Sequence, residues 1–128
     1  WNNCGMSRNS VDLKSAIKEI QKLKKQFYSD LLIPGDQFSF NEPLAKALRV
    51  ADFIELGELF ALDALKRNES CGGHFREEYQ TKEGEAMRND KEFTFVSAWE
   101  YDKIIENSIL HKEKLLFNNV ELKNRSYK

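Results

Sequence analysis

Residues 41–67, NEPLAKALRVADFIELGELFALDALKR, form the longest helical pattern in the chain and set its fold. Asn41 is placed to cap this helix, and Pro43 is tolerated in the first turn. Gly57 in the middle indicates either a close crossing with another element or nothing in particular. The apolar residues form two rows: Leu44, Leu48, Ala51, Leu59 and Leu62, and Val50, Phe53, Ile54, Phe60, Ala61, Ala64 and Leu65. A helix that is apolar on two sides packs on two sides.

A first helix precedes it over residues 10–32, capped by Asn9 or Ser10, with Asp12 in the first turn. Pro34 and Gly35 end it in a short turn, so the two helices form an antiparallel hairpin. The first helix can cover one apolar row of the second. The other row needs a partner, which could be the C-terminal region, a missing N-terminal helix or another chain. We expect the isolated chain to shield this row by self-association or by folding its C-terminal strand over it.

The pattern changes after Arg67. Residues 68–92 lack a helical period and predict an ordered, irregular loop. Apolar residues alternate over 93–101, which predicts a strand that pairs with residues 109–111, and an extended tail follows to residue 128. The expected fold is one mainly α domain over residues 1–128: a helical bundle, an irregular loop and a short β-hairpin with an extended tail.

Composition excludes several classes of function. The net charge of −1 gives no electrostatic reason to expect a nucleic-acid partner. No apolar run approaches the roughly 18 residues of a membrane span, and no signal-peptide pattern opens the chain. Two cysteines are too few for a disulfide framework, which favours a reduced, cytoplasmic setting. Because the chain begins at Trp1, we interpret it as a processed product or an excised domain.

The stretch from Asn68 to Tyr79, NESCGGHFREEY, concentrates the groups that could carry chemistry. Cys71 and His74 could bind a metal or form an activated thiol, but zinc needs further ligands and the chain has two histidines and two cysteines. Glu77 with Glu78, or Glu83 with Glu85, could form a carboxylate pair, although a solvated acidic loop is the more common outcome.

A structural role fits these residues better. Gly72 and Gly73 let the backbone turn tightly or approach another surface. On an extended backbone His74 and Arg76 face one way and Phe75 the other. Arg76 can fork onto a carboxylate such as Asp90 or Glu69. We therefore predict a polar staple between the helix end and the strand.

The same stretch carries a family resemblance. Glu69–Tyr79 resembles the E-S-R-G-x-H-x-R-x-D segment of succinate dehydrogenase and fumarate reductase flavoprotein subunits, and residues 88–93, RNDKEF, resemble the R-D-D-x-x-F/W that follows it. Cys71 and Asn89 depart from the arginine and aspartate of many relatives. L-Aspartate oxidase shares this architecture. Three further segments resemble one branch of the family: FVSAWEY at 95–101, HKE at 111–113 and RSYK at 125–128. NCGMSR at 3–8 also resembles the N-x-G-x-x-R that precedes the helical pair.

The resemblance implies a C-terminal domain of a larger flavoprotein, built as a spectrin-repeat-like three-helix bundle whose first helix is largely missing here. FAD and the substrate-binding and proton-donating residues would lie in other domains of that subunit, so this part would hold no cofactor and be inactive alone. Its partners would be the FAD-bearing domain, an iron–sulfur subunit and a membrane quinone-reactive subunit, on the cytoplasmic face of the bacterial inner membrane.

No catalytic, cofactor or metal residue is expected in the chain itself. The candidates for structural or interdomain contacts are Glu69, Ser70, Gly72, Gly73, His74, Arg76, Arg88 and Asp90. Two alternatives stay open: an independent interaction or assembly module, and a small thiol or metal enzyme that uses Cys71 and His74. The direction of the parent reaction and its quinone are not encoded in this chain.

Overall fold

The computed structural model describes residues 1–36, 38–124 and 126, without the side chain of Glu106. Arg125, Tyr127 and Lys128 of the RSYK motif lie outside the described residues. Two helices dominate the fold: α1, Ser10–Asp30, and α2, Glu42–Lys66. They end within two residues of the predicted boundaries.

Both helices begin at the predicted caps. The side chain of Asn9 accepts a hydrogen bond from the Asp12 N–H at 2.9 Å, and that of Asn41 accepts one from the Leu44 N–H at 3.0 Å. These bonds satisfy N–H groups that have no partner inside the helix. The caps therefore fix where each helix starts.

Short strands and turns complete the chain. Strand β1, Ser7–Arg8, pairs in parallel with β2, Phe75–Arg76. A single helical turn, α3, covers Asp90–Phe93, and β3, Phe95–Glu100, pairs antiparallel with β4, Ile109–Lys114. A 3₁₀ turn at Ile105–Asn107 lies between β3 and β4. The predicted helix pair and β-hairpin are confirmed, while β1, β2 and α3 add elements that the sequence did not predict.

The core lies between α1 and α2, with Leu13 and Ala61 fully buried. A charged group joins it: Glu58, 3% exposed, lies 3.5 Å from Nζ of Lys24, which also contacts Glu55 at 2.9 Å. The indole N–H of Trp99 donates to the Asp63 carboxylate at 2.9 Å and ties β3 to α2.

The two apolar rows predicted on α2 are not buried as units. The buried stripe crosses both rows, taking Ile54 and Ala61 from one and Leu62 from the other. Phe53 and Phe60 stay 67% and 57% exposed, and Leu56 between them is 61% exposed. Apart from the adjoining backbone of α2 itself, no described atom lies within 4 Å of the position a Cβ would take at Gly57, so the close crossing considered there does not occur. We call Val50, Phe53, Leu56 and Phe60 the outer face of α2.

Candidate functional site

Arg76 lies at the centre of the polar stretch and is only 2% exposed. Its Nη1 donates to the backbone carbonyls of Ala64 at 2.9 Å and Leu65 at 3.2 Å. The last carbonyls of a helix have no partner within it and carry the negative end of its dipole. Arg76 therefore caps the C-terminus of α2 with a positive charge.

The same guanidinium pairs with Glu78, whose Oε2 lies 3.1 Å from Nε of Arg76. The other oxygen of Glu78 accepts from the backbone N–H of Ser10, the first residue of α1. Partial burial tends to raise the pKa of Glu78, but the hydrogen bonds from Arg76 and Ser10 outweigh it and lower the pKa to about 2. One ion pair thus joins the C-terminus of α2 to the N-terminus of α1.

Ser70 and a glycine turn hold Arg76 in place. The hydroxyl of Ser70 accepts from the Arg76 N–H at 2.8 Å and donates to the Arg76 carbonyl at 3.1 Å. Between them, Cys71 and His74 exchange two backbone hydrogen bonds across Gly72 and Gly73. Gly72 has φ +58°, a conformation that favours glycine. The turn reverses the chain so that β2 returns to the end of α2.

His74 bridges three segments through its two ring nitrogens. Nδ1 lies 3.2 Å from Nη1 of Arg8, which can only donate, so Nδ1 accepts and Nε2 donates to the carbonyl of Arg67 at 3.0 Å. The ring is therefore neutral. Burial lowers the pKa of His74, with the nearby guanidinium groups of Arg8, Arg76 and Arg67 acting in the same direction. The carbonyl of Arg67 alone opposes this shift.

Glu69 and Arg67 connect the helix end to β3. Glu69, 3% exposed, accepts from Nη1 of Arg67 at 2.8 Å and from the backbone N–H of Asn89 at 2.9 Å. Arg67 donates in turn to the carbonyls of Phe93 and Phe95, both at 3.1 Å, and its guanidinium lies 4.9 Å from the ring of Phe95. This second pair, together with the Trp99–Asp63 hydrogen bond, attaches α2 to the C-terminal hairpin.

Arg88 and Asp90 form a third, more exposed pair. Nε of Arg88 lies 2.9 Å from the Asp90 carboxylate, which holds the pKa of Arg88 above its ordinary value. The remaining Nη1 donates to the backbone carbonyl of Lys123 at 3.0 Å. Arg88 therefore contacts the part of the chain that follows β4.

The comparison with known families agrees with this arrangement. The sequence profile described as "Fumarate reductase flavoprotein C-term" matches residues 1–127. The chain belongs to this family. The match spans the helix pair, the polar staple and the C-terminal hairpin.

Two longer proteins are similar to this chain. L-Aspartate oxidase 2 of Ralstonia nicotianae is 28% identical over 82 residues, which are 64% of this chain and 13% of that protein. A mutant of E. coli quinol fumarate reductase FrdA shares the fold with a TM-score of 0.77 and 22% identity, over 94% of this chain and 20% of that chain. The chain thus spans a fifth or less of either relative.

The predicted candidates fall into two groups. Glu69, Ser70, His74 and Arg76 converge on the C-terminus of α2, whereas Gly72, Gly73, Arg88 and Asp90 lie toward the surface. The suggested partners of Arg76 were wrong: it binds Glu78, while Glu69 binds Arg67 and Asp90 binds Arg88. Sequence reasoning also missed Arg8, although it ends the NCGMSR segment that resembles the family motif.

The geometry gives little support to a metal or thiol site at this place. Both ring nitrogens of His74 already have partners in Arg8 and Arg67. Across residues 1–36, 38–124 and 126, no three His, Cys, Asp or Glu side chains are grouped to hold a metal ion. In the same part of the chain, no helix is long and apolar enough to cross a membrane.

Replacing Arg76 tests the staple directly. We expect Arg76→Gln to lower the free energy of unfolding by about 2–4 kcal/mol, because two helix carbonyls and Glu78 lose a charged donor. Arg49→Gln, at an exposed position of α2, is the control and should change stability by less than about 0.5 kcal/mol. Urea unfolding followed by circular dichroism measures both, and equal effects would contradict the capping role.

The neutral state of His74 predicts a pH dependence. Because folding lowers the pKa of His74 from its ordinary 6.5, the unfolded chain binds the proton more readily. Its contribution to stability is therefore complete above about pH 6.5 and is lost as the pH falls below that value. Unfolding free energies measured at intervals from pH 8 to 5 should fall more steeply for the wild type than for His74→Gln. A slope in His74→Gln equal to that of the wild type would contradict the assignment.

Proposed function

We propose that this chain is the C-terminal domain of the flavoprotein subunit of a succinate dehydrogenase or fumarate reductase, and that its role there is structural. The observation that supports the proposal is that the side chains of the polar motif form their hydrogen bonds inside this domain. Glu69, Ser70, His74 and Arg76 all bind helix ends or neighbouring strands of this chain. A residue that must hold a helix end is poorly placed to move protons during a reaction.

In this proposal the chemistry belongs to the rest of the subunit. The parent enzyme interconverts succinate and fumarate on FAD, which is held by a separate domain. Electrons pass to an iron–sulfur subunit and a membrane quinone-reactive subunit, in a complex peripheral to the cytoplasmic face of the bacterial inner membrane. Membership of the flavoprotein C-terminal family and the fold shared with quinol fumarate reductase FrdA support this assignment.

We further propose that the helix pair is part of a spectrin-repeat-like bundle. The outer face of α2 supports this, since it exposes Phe53, Leu56 and Phe60 in helical succession. Such a row is typical of a helix that packs against a further helix. In the isolated chain, the same face is proposed to drive self-association.

The surface candidates are assigned to contacts with the FAD-bearing domain. Beyond the residues next to each in the chain, no described atom lies within 4 Å of where a Cβ would lie on Gly72 or Gly73, so their backbone is open to a neighbour. Arg88 and Asp90 present a charged pair on the same loop region. The buried candidates would act indirectly, by keeping this loop rigid.

The isolated chain should neither bind FAD nor reduce fumarate. Fluorescence titration with FAD and a reduced-viologen assay with fumarate measure the two properties. A longer protein that contains this domain and a dinucleotide-binding domain should show both. Tight FAD binding or fumarate reduction by the 128-residue chain would overturn the structural role.

A parent that acts on L-aspartate is the second candidate, favoured by the 28% identity to L-aspartate oxidase 2. The aromatic strand at 95–101 favours the first reading, because it resembles the succinate dehydrogenase and fumarate reductase branch. Assaying the longer protein with succinate and with L-aspartate separates the two. If the longer protein oxidised L-aspartate and did not oxidise succinate, our first candidate would be wrong and the second would take its place.

Self-association is tested by weakening the outer face of α2. We expect the wild-type chain to sediment as a dimer or larger species, and Phe53→Gln to lower the association constant about tenfold, since it removes a large apolar contact. Val11→Gln, at a position of α1 that is 74% exposed, should leave association unchanged. A strictly monomeric wild type that binds no hydrophobic dye would contradict this proposal.

A further inference from the structure

An arginine lies at each end of the outer face of α2. Positions 49, 53, 56 and 60 follow the spacing of one helical face, so Arg49 continues the outer face toward the start of the helix. At the other end, the guanidinium of Arg8 lies 5.1 Å from the centre of the Phe60 ring. At about 1.5 Å per residue, Arg49 and Phe60 are about 16 Å apart along α2. Two positive charges therefore bound the exposed apolar side chains.

Hydrogen bonds to neutral groups hold the guanidinium of Arg8 in this position. Its Nε donates to the carbonyl of Gly5 at 2.8 Å, and its Nη1 donates to Nδ1 of His74 at 3.2 Å. The backbone is fixed as well, since the Arg8 carbonyl accepts from the N–H of Glu77 at 2.8 Å. The charge beside Phe60 is thus positioned before any partner binds, which lowers the entropic cost of using it.

The two arginines at the outer face differ from the others in the described part of the chain. Arg67, Arg76 and Arg88 each form an ion pair with a carboxylate of this chain. Over residues 1–36, 38–124 and 126, the ion pairs include neither Arg8 nor Arg49. Arg8 is also half-buried, and a charge that is partly removed from water is stabilised by a counter-ion. The outer face therefore presents two charges that a partner can neutralise.

These charges decide which occupant fits the outer face. If two copies pack antiparallel through this face, Arg8 of one copy approaches the end that carries Arg49 of the other, and like charges repel. Self-association of the isolated chain therefore works against its own charges. A helix that carries carboxylates at the same two ends attracts both guanidinium groups while it covers the same apolar side chains.

We propose that the outer face of α2 binds an α-helix whose apolar side carries a carboxylate at each end, about 11 residues apart, opposite Arg8 and Arg49. This inference rests on the proposed packing of a further helix on the outer face and adds the charges that this helix must carry. The apolar residues supply the contact area, whereas the arginines select the partner and fix its position along α2.

Three synthetic helical peptides test the proposal. They share one leucine face and differ only at the two positions that flank its ends, which carry glutamate, glutamine or lysine. Because each exposed ion pair is expected to strengthen binding about threefold, fluorescence anisotropy at low salt should give the glutamate peptide a dissociation constant about tenfold below that of the glutamine peptide. The lysine peptide should bind most weakly, and high salt should remove most of these differences.

Replacing the arginines one at a time assigns the preference to them. Arg49→Gln should weaken binding of the glutamate peptide about threefold and leave the glutamine peptide unchanged. Lys18→Gln, at an exposed position of α1, makes the same change in net charge and should alter neither peptide. Arg8→Gln should act like Arg49→Gln, with circular dichroism to show that the helices persist. If Arg8→Gln unfolds, Arg49→Gln still decides the result.

The outcomes separate a failure of the charge preference from a failure of the outer face itself. Phe53→Gln removes an apolar contact and should weaken all three peptides alike. If the glutamate and glutamine peptides bind equally, or if Lys18→Gln has the effect of Arg49→Gln, while Phe53→Gln weakens binding, the face binds a helix without selecting carboxylates and this inference is wrong. If none of the peptides binds the wild-type chain, the outer face is not a helix-binding surface and the proposed bundle fails with it.

Discussion

The structure depends on one ion pair between two helix ends. Arg76 neutralises the carbonyl end of α2 while Glu78 accepts from the first N–H of α1, and the two side chains bind each other at 3.1 Å. Both charges complement the helix dipoles at their positions. Because antiparallel helices place opposite ends side by side, a single arginine and a single glutamate can serve both. The turn at Gly72 and Gly73 and the hydroxyl of Ser70 position Arg76 and Glu78 beside the two helix ends.

The remaining polar groups extend the same arrangement outward. Arg67, paired with Glu69, links α2 to β3 through hydrogen bonds. His74 forms a hydrogen bond with Arg8 in β1. Buried charges are costly unless they are paired and hydrogen-bonded, and each of these has several partners. A segment that combines a histidine with arginines and carboxylates thus resembles an active site in composition, while its hydrogen bonds join the secondary-structure elements of the domain.

The features of this structure that depend on residues close together in the chain could be predicted from the sequence. The caps at Asn9 and Asn41 and the alternation in β3 depend on residues a few positions apart, so the sequence shows them directly. The partner of Arg76 could not be read in the same way, because Asp90, Glu69 and Glu78 are all plausible until the chain is folded. Arg8 was missed since a strand of two residues has no period. The buried stripe of α2 crosses both predicted rows because the angle at which α1 packs decides it, and neither helix encodes that angle alone.

The parallel pairing of β1 with β2 has a consequence for how the domain forms during synthesis. Ser7 and Phe75 are direct partners, so everything between them must emerge from the ribosome before the pair can close. Helices α1 and α2 are local and fast to form, whereas this pairing has a high sequence separation and cannot be completed before Arg76 has been synthesised. The helix hairpin therefore spends part of its synthesis with open ends and an uncovered apolar face. The nascent chain is most exposed to chaperones, and to mispairing with its neighbours, in the interval before the ends are closed.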